Sequence, residues 1–352
     1  MNELATPALP QWLYLNGAPE ITAVIRTQPT DFIVDEQLNF QPSGSGEHLL
    51  LQIEKRGQNT QYIAKQLARL TGLRMRDISY AGLKDRHALT RQWFCFKWPI
   101  KQELAWQHWQ LEECTILQVV RHYRKLRLGA LKANHFQITL TEVSEPDALV
   151  ARLQLIKAGV PNYFGEQRFG RAGGNLALAN GLFAGERIAD RQIRGLALSA
   201  SRSFLFNTVL SARIAQGLFN QVLDGDILQL DGTGSIFQVE KADDLLQQRL
   251  LDSDVHITAP LVGIDGAVVS QQAAALEQQA LAAHQQWCQG LAEYRLQGAR
   301  RSIRLVPQQL NAVITGDRVT LSFALPAGCF ATSVLRELAC YRDGSRPLAD
   351  MT

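Results

Sequence analysis

The chain has 352 residues, 46% hydrophobic and 20% charged, a composition that supports a sizeable core and excludes a disordered chain. Its net charge of +3, from 36 basic and 33 acidic residues, does not by itself mark a nucleic-acid binder. No run reaches the roughly 18 apolar residues a membrane span needs. The cysteines Cys95, Cys114, Cys288, Cys329 and Cys340 lack any CxxC pair, so neither a disulfide framework nor a zinc site is expected.

At roughly 150 residues per domain, the length suggests two domains. Met1–Pro10 has neither a basic start nor an apolar stretch, so no secretory leader is expected and a reducing cytoplasm is the expected compartment. From His48 to Glu54, Leu49, Leu51 and Ile53 alternate onto one face, which predicts a strand with one buried side. Asn59 and Thr60 can cap a following helix, in which Ile63, Leu67 and Leu70 recur before Gly72 ends it. A second strand, rich in aromatics, is expected over Gln92–Trp98 and stops at Pro99. Between Arg121 and Phe136, the bases Arg121, Arg124, Lys125, Arg127 and Lys132 occur with Tyr123 and Phe136 among them and no acid. Such a stripe suits phosphate contact and base stacking, and a solvated strand or helix face is the plainer alternative. Another strand follows over His135–Leu140.

From 160 to 306 the pattern turns mostly helical, with alanine- and leucine-rich stretches over Leu196–Leu218 and Gln271–Tyr294. A small β element is expected over Asp224–Val239, and a turn at Pro260–Gly263. Val319, Leu321, Phe323 and Leu325 then alternate again as a strand. Pro326–Gly328 turns the chain into a helix expected over Ala331–Tyr341. Strands at both ends of the chain thus belong to one mixed sheet. Gly232-Thr233-Gly234 lacks the third glycine and the βαβ setting of a dinucleotide site. The seven histidines show no HExxH spacing.

The candidate for chemistry is Ala81–Thr90. An apolar strand around Ile78 and Tyr80 stops at Gly82, and a carboxylate, Asp85, then stands between Lys84 and Arg86. Cations that close favour its ionised form. A carboxylate on a glycine turn at a strand end is a candidate nucleophile or base, with a surface turn as the alternative.

Gly82–Ala88, followed by Thr90 and Gln92, resembles the catalytic motif of the tRNA pseudouridine synthase D family. Asp31–Glu36, Arg56–Thr60, Leu128–Phe136, Pro161–Gly170 and Leu325–Glu337 resemble five further motifs of that family, in order, from residue 31 to residue 337. The resemblance implies an α+β fold, with a mixed, largely antiparallel sheet flanked by helices and interrupted by a helix-rich α/β insertion. It implies a catalytic domain in two segments, 1–159 and 307–352, around an insertion at 160–306. It further implies isomerisation of uridine to pseudouridine, at position 13 of tRNAs such as that for glutamate, with Asp85 as nucleophile or base. Lys84, Asn134, Phe136 and Phe330 become substrate-binding candidates, with Phe136 stacking the extruded uracil. Phe136 could instead be a core residue of its strand. Arg121, Arg124, Lys125, Arg127, Lys132 and Arg168 become candidates for RNA contact. Pseudouridine formation involves no net redox change and loses no atoms, so no cofactor or metal is expected. The expected partner is tRNA, with no membrane, and the protein is expected to act as a monomer.

Overall fold

The computed structural model describes residues 9–345, and the stretch read for a leader lies mostly outside them. The chain divides into two compact units. One is Pro19–Lys157, Pro307–Ala331 and the described residues from Leu338 on. The other is Ala158–Val306, Thr332–Glu337 and the described residues up to Ala18. No helix among the described residues is long and apolar enough to cross a membrane.

The first unit begins with β1 (Thr22–Ile25), β2 (Phe32–Leu38), β3 (His48–Arg56), α1 (Thr60–Thr71), β4 (Ser79–Tyr80) and β5 (Leu89–Lys97). It continues with β6 (Cys114–His122), β7 (Leu131–Leu140) and α2 (Pro146–Ile156). The alternation in β3 holds for one face, but the other is also covered at Leu50, which is buried with Ala81, Trp93, Cys95 and Leu126. Leu49, Leu51 and Ile53 are buried with Phe94 and Phe96 of β5 against Ile63, Ala64 and Leu67 of α1. Gly72 ends α1 in the left-handed conformation at φ 71°, which glycine adopts without a Cβ penalty. Asn59 is the N-cap residue but makes no side-chain capping bond.

The other unit opens with β8 (Val160–Pro161), α3 (Gly174–Phe183), α4 (Arg191–Ala215), β9 (Ile227–Leu230), β10 (Ile236–Gln238) and α5 (Asp244–Leu251). Next come β11 (Val255–Leu261), α6 (Gln271–Leu281), α7 (Gln285–Glu293), β12 (Ala299–Ser302) and β13 (Arg304–Leu305). The small β element expected over Asp224–Val239 is half of a four-stranded sheet ordered β10-β9-β11-β12. A turn was expected at Pro260–Gly263, but β11 runs through Pro260. That residue lies beyond the last β9 pair, at Ile257, where a strand end accepts proline. Asp226 is wholly buried, and both its oxygens accept from Arg213, at 2.7 and 2.8 Å.

The chain ends with β14 (Gln308–Thr315), β15 (Arg318–Pro326), α8 (Ala331–Leu335) and β16 (Cys340–Asp343). The helix expected to Tyr341 therefore stops at Leu335. Cys340 and Tyr341 instead pair in parallel with Thr22 and Ala23 of β1, a long-range ladder that local periodicity does not report. The main sheet has the order β14-β15-β7-β2-β5-β3-β6, with β4 on β5. Only β2–β5 is parallel within it. Fold and class are therefore as expected: a mixed, largely antiparallel sheet with helices.

Candidate active site

Polar side chains hold the 82–88 loop at the amino end of α1. The Gln92 amide donates to Gly82 O at 2.5 Å and accepts from the Thr60 hydroxyl at 3.0 Å. That hydroxyl accepts in turn from the Lys84 amide, also at 3.0 Å. Thr60 thus ties the loop down rather than capping its own helix. The Lys55 ammonium, at the end of β3, donates to Asp85 O at 3.0 Å.

The Asp85 carboxylate remains 38% exposed and meets Arg26 Nη2 at 3.2 Å. Arg26 follows β1, has an otherwise buried side chain, and reaches Asp343 Oδ2 of β16 with Nη1 at 3.0 Å. One guanidinium therefore bridges two carboxylates, in a fork geometry that lysine does not offer. Arg26 adopts φ 55°, a left-handed conformation that is uncommon outside glycine. Its guanidinium lies 4.2 Å from the centre of the Phe32 ring. Phe32 meets Phe136 edge-on at 6.2 Å, and Phe136 stacks on Phe323 at 5.4 Å. Although burial alone would raise it, the Ser345 hydroxyl and Arg26 together hold the Asp343 carboxyl below the ordinary carboxylate range.

The expectation that Lys84 and Arg86 close on Asp85 is corrected here. Lys84 Nζ binds Glu36 Oε1 at 2.6 Å, while Arg86 Nε donates to Gly57 O. The cation at Asp85 is Arg26. The Glu36 side chain is wholly buried and also accepts from the Trp93 amide at 2.8 Å. Burial pushes its carboxyl up, and Lys84 opposes that shift.

Strand register places Asn134 beside Glu36 on one side and Leu325 on the other, and Phe136 between Val34 and Phe323. Residues directly opposite in a ladder share a face, so Glu36, Asn134, Phe136, Phe323 and Phe32 share one. Phe136 is 8% exposed. Asn134 is also buried, and its Oδ1 has no hydrogen-bond partner among the described residues. Such an orphaned acceptor carries a desolvation cost that a ligand N–H would relieve.

The other candidates are more dispersed. Arg121 donates to the carbonyls of Gly46, Trp98, Pro99 and Gln102, so its guanidinium fastens neighbouring loops. Leu126 is buried, with its amide on Cys95 Sγ, and it pins a loop that presents Arg124, Lys125 and Arg127 to solvent. Arg124 lies over the exposed Tyr123 ring, and Lys132 is exposed at the start of β7. Phe330 is half-buried after β15. Arg168 belongs to the other unit, where it donates to Ser199 Oγ at 3.2 Å and lies over Phe164. The residues that motif reading missed are Arg26, Phe32, Glu36 and Asp343 in their pairing roles, together with Lys55. Lys55 carried a signal, since it continues the buried series Leu49, Leu51, Ile53 as a charged residue.

A carboxylate gripped by a guanidinium above an aromatic shelf, with an unsatisfied amide oxygen on the same face, suits work on the ribose of an extruded pyrimidine. The comparisons with known proteins give the class as a pseudouridine synthase, an isomerase. A family model described as tRNA pseudouridine synthase D (TruD) matches residues 9–186 and 184–338. The tRNA pseudouridine synthase D of Aeromonas salmonicida is 48% identical over 332 residues, 94% of each chain. That of Colwellia psychrerythraea is 44% identical over 341 residues, 94% of this chain and 93% of its own. A crystal structure from Methanosarcina mazei assigned to tRNA pseudouridine synthase D has a TM-score of 0.71 at 22% identity. It covers 95% of this chain and is itself covered to 97%, a likeness of fold. This chain belongs to the tRNA pseudouridine synthase D family.

Proposed function

We propose that the enzyme converts uridine to pseudouridine at position 13 of tRNA, with tRNA for glutamate among its substrates. The observation that carries the chemistry is the partly exposed Asp85 carboxylate paired with Arg26, whose guanidinium lies over the Phe32 ring that meets Phe136. The position is supported by the family resemblance of the motifs.

The target uridine leaves the RNA stack at a cost of a few kcal/mol, which stacking on an aromatic ring offsets by roughly 1–3 kcal/mol. Phe136 provides that ring, Asn134 Oδ1 accepts from the uracil N3–H, and Phe330 contributes a second aromatic wall. Asp85 then acts at the ribose, attacking C1′ or removing the C2′ proton, and the N1–C1′ bond breaks. The base turns over and forms the C5–C1′ bond, C5 loses its proton, N1 gains one, and Asp85 returns to the free carboxylate. Lys84 acts by holding Glu36 beneath the loop. Mapping pseudouridine in tRNA from cells with and without the gene tests this reading. Position 13 should lose its pseudouridine in the deletion and regain it with the wild-type gene, and an unchanged map would refute the assignment.

Phe136 is buried enough to serve the core, so its role is separable by measurement. Phe136→Leu is a near-volume-conserving change that should cost on the order of 1 kcal/mol in stability. It should slow single turnover well beyond any loss of folded protein, and Phe136→Tyr should remain active. A destabilised Leu variant with wild-type turnover per folded molecule would end the stacking role.

Arg124, Lys125 and Arg127, with Lys132 and Arg168, are assigned to phosphates. Each contact should contribute roughly 0.7–0.9 to the slope of log affinity against log salt. Replacing Arg124 and Arg127 by Ala should flatten that slope by about 1.5, whereas Arg121→Ala should change stability more than slope. Titrations of tRNA at several salt concentrations distinguish the two.

A further inference from the structure

Lys55 is wholly buried, yet among the described residues no carboxylate lies within ion-pair distance of it. Its ammonium donates instead to two carbonyl oxygens, of Gln58 at 2.7 Å and of Asp85 at 3.0 Å. A charge withdrawn from water without a counter-ion opposes folding, and methionine, of similar length, would fill the same space without that charge. A residue kept against stability is a candidate for function.

The geometry supplies one. Gln58 lies in the turn that starts α1, and Asp85 lies in the loop beside it, so a single ammonium joins the two segments at the residue proposed to do the chemistry. We propose that Lys55 is a positioning residue for Asp85, fixing the main chain of the catalytic residue while Arg26 fixes its carboxylate. This inference rests on the reading of Asp85 as catalytic.

Its pH behaviour distinguishes this role from plain packing. Burial pushes the Lys55 ammonium down to about 8, against the attraction of the Asp85 carboxylate. The other titratable groups facing it are the Cys114 thiol of β6 and the repelling Lys84. Thr90, opposite in register, carries no charge. Because the folded value lies below that of an unfolded lysine, the folded state binds fewer protons between the two, and Lys55 makes stability rise with pH across that window. A clamp that needs the charge weakens over the same window. Stability should therefore rise while turnover falls.

The test compares wild type, Lys55→Met and Asp85→Asn on an unmodified tRNA transcript in single turnover. With Lys55→Met we expect turnover to fall roughly ten- to a hundredfold near pH 7. Its tRNA affinity should be unchanged, and its melting temperature equal or higher. The wild-type rate should decline as pH passes about 8, and the Met variant should lack that decline. A Met variant with the wild-type rate overturns the clamp, as does a rate loss matched by an equal loss of folded protein. If Lys55→Met does not fold, the wild-type profile decides, and a rate flat through about pH 8 overturns it. An inactive Asp85→Asn beside a normal Lys55→Met refutes the clamp alone, whereas an active Asp85→Asn removes both readings.

Discussion

Asp85→Asn should abolish isomerisation, with single turnover falling by at least about 10⁴-fold, while tRNA affinity and the melting temperature stay close to wild type. The amide preserves the side-chain volume and accepts one hydrogen bond from Arg26, but it neither attacks C1′ nor removes a ribose proton. Asp85 is partly exposed, and its loop is held by Lys55 on the Asp85 carbonyl, by Gln92 on Gly82 O and by the Lys84 amide on the Thr60 hydroxyl. The loop therefore does not depend on its charge. Rapid-quench assays with enzyme in excess give the rate, and circular dichroism checks the fold. Normal turnover in the pure Asn variant would remove Asp85 from the chemistry, whereas loss of folding would assign it to structure.

Arg26→Gln should be the next most damaging change, slowing turnover by about 10²–10³-fold. The guanidinium orients the Asp85 carboxylate, bridges it to Asp343 and caps the Phe32 ring. Without it two carboxylates face one vacated position, and Asp85 loses its fixed direction toward the ribose. Arg26→Lys should recover only part of the rate, because a point charge cannot hold both carboxylates in one plane. The Gln variant should also melt earlier, since it leaves Asp343 half-buried without its cation. Asp343 adds a pH signature. Its carboxyl is held below the ordinary range, so its contribution to stability is complete above that range and disappears as pH falls through the lowered value. The Gln variant should show a shallower loss of melting temperature in acid. Wild-type-like turnover in Arg26→Gln would mean the bridge is structural only.

Much of the architecture can be read locally. The period-two series Leu49, Leu51, Ile53 and the four- and three-residue spacing of Ile63, Leu67 and Leu70 each report a face that must be buried. The Asp85 turn is equally legible, because a glycine break and four successive ionisable residues, Lys84 to His87, lie within one short segment. The sequence also carried the order of the motifs, and with it the family. Adjacent charges nevertheless proved a poor guide to contacts, because neighbouring residues on an extended loop point apart. Lys84 turns to Glu36, and Arg86 to the Gly57 carbonyl. The partner of Asp85 lies 59 residues away in sequence, and that partner's second carboxylate 317 residues away. Such pairs form only when the β2–β7–β15 register and the β1–β16 ladder close, since local periodicity specifies which face is apolar but not which strand becomes its neighbour. Local sequence therefore determined strands such as β3, helix α1 and the candidate carboxylate. Tertiary structure alone decided which cation holds that carboxylate, which ring lies beneath that cation, and that Lys55 on the buried face of β3 would meet the Asp85 main chain.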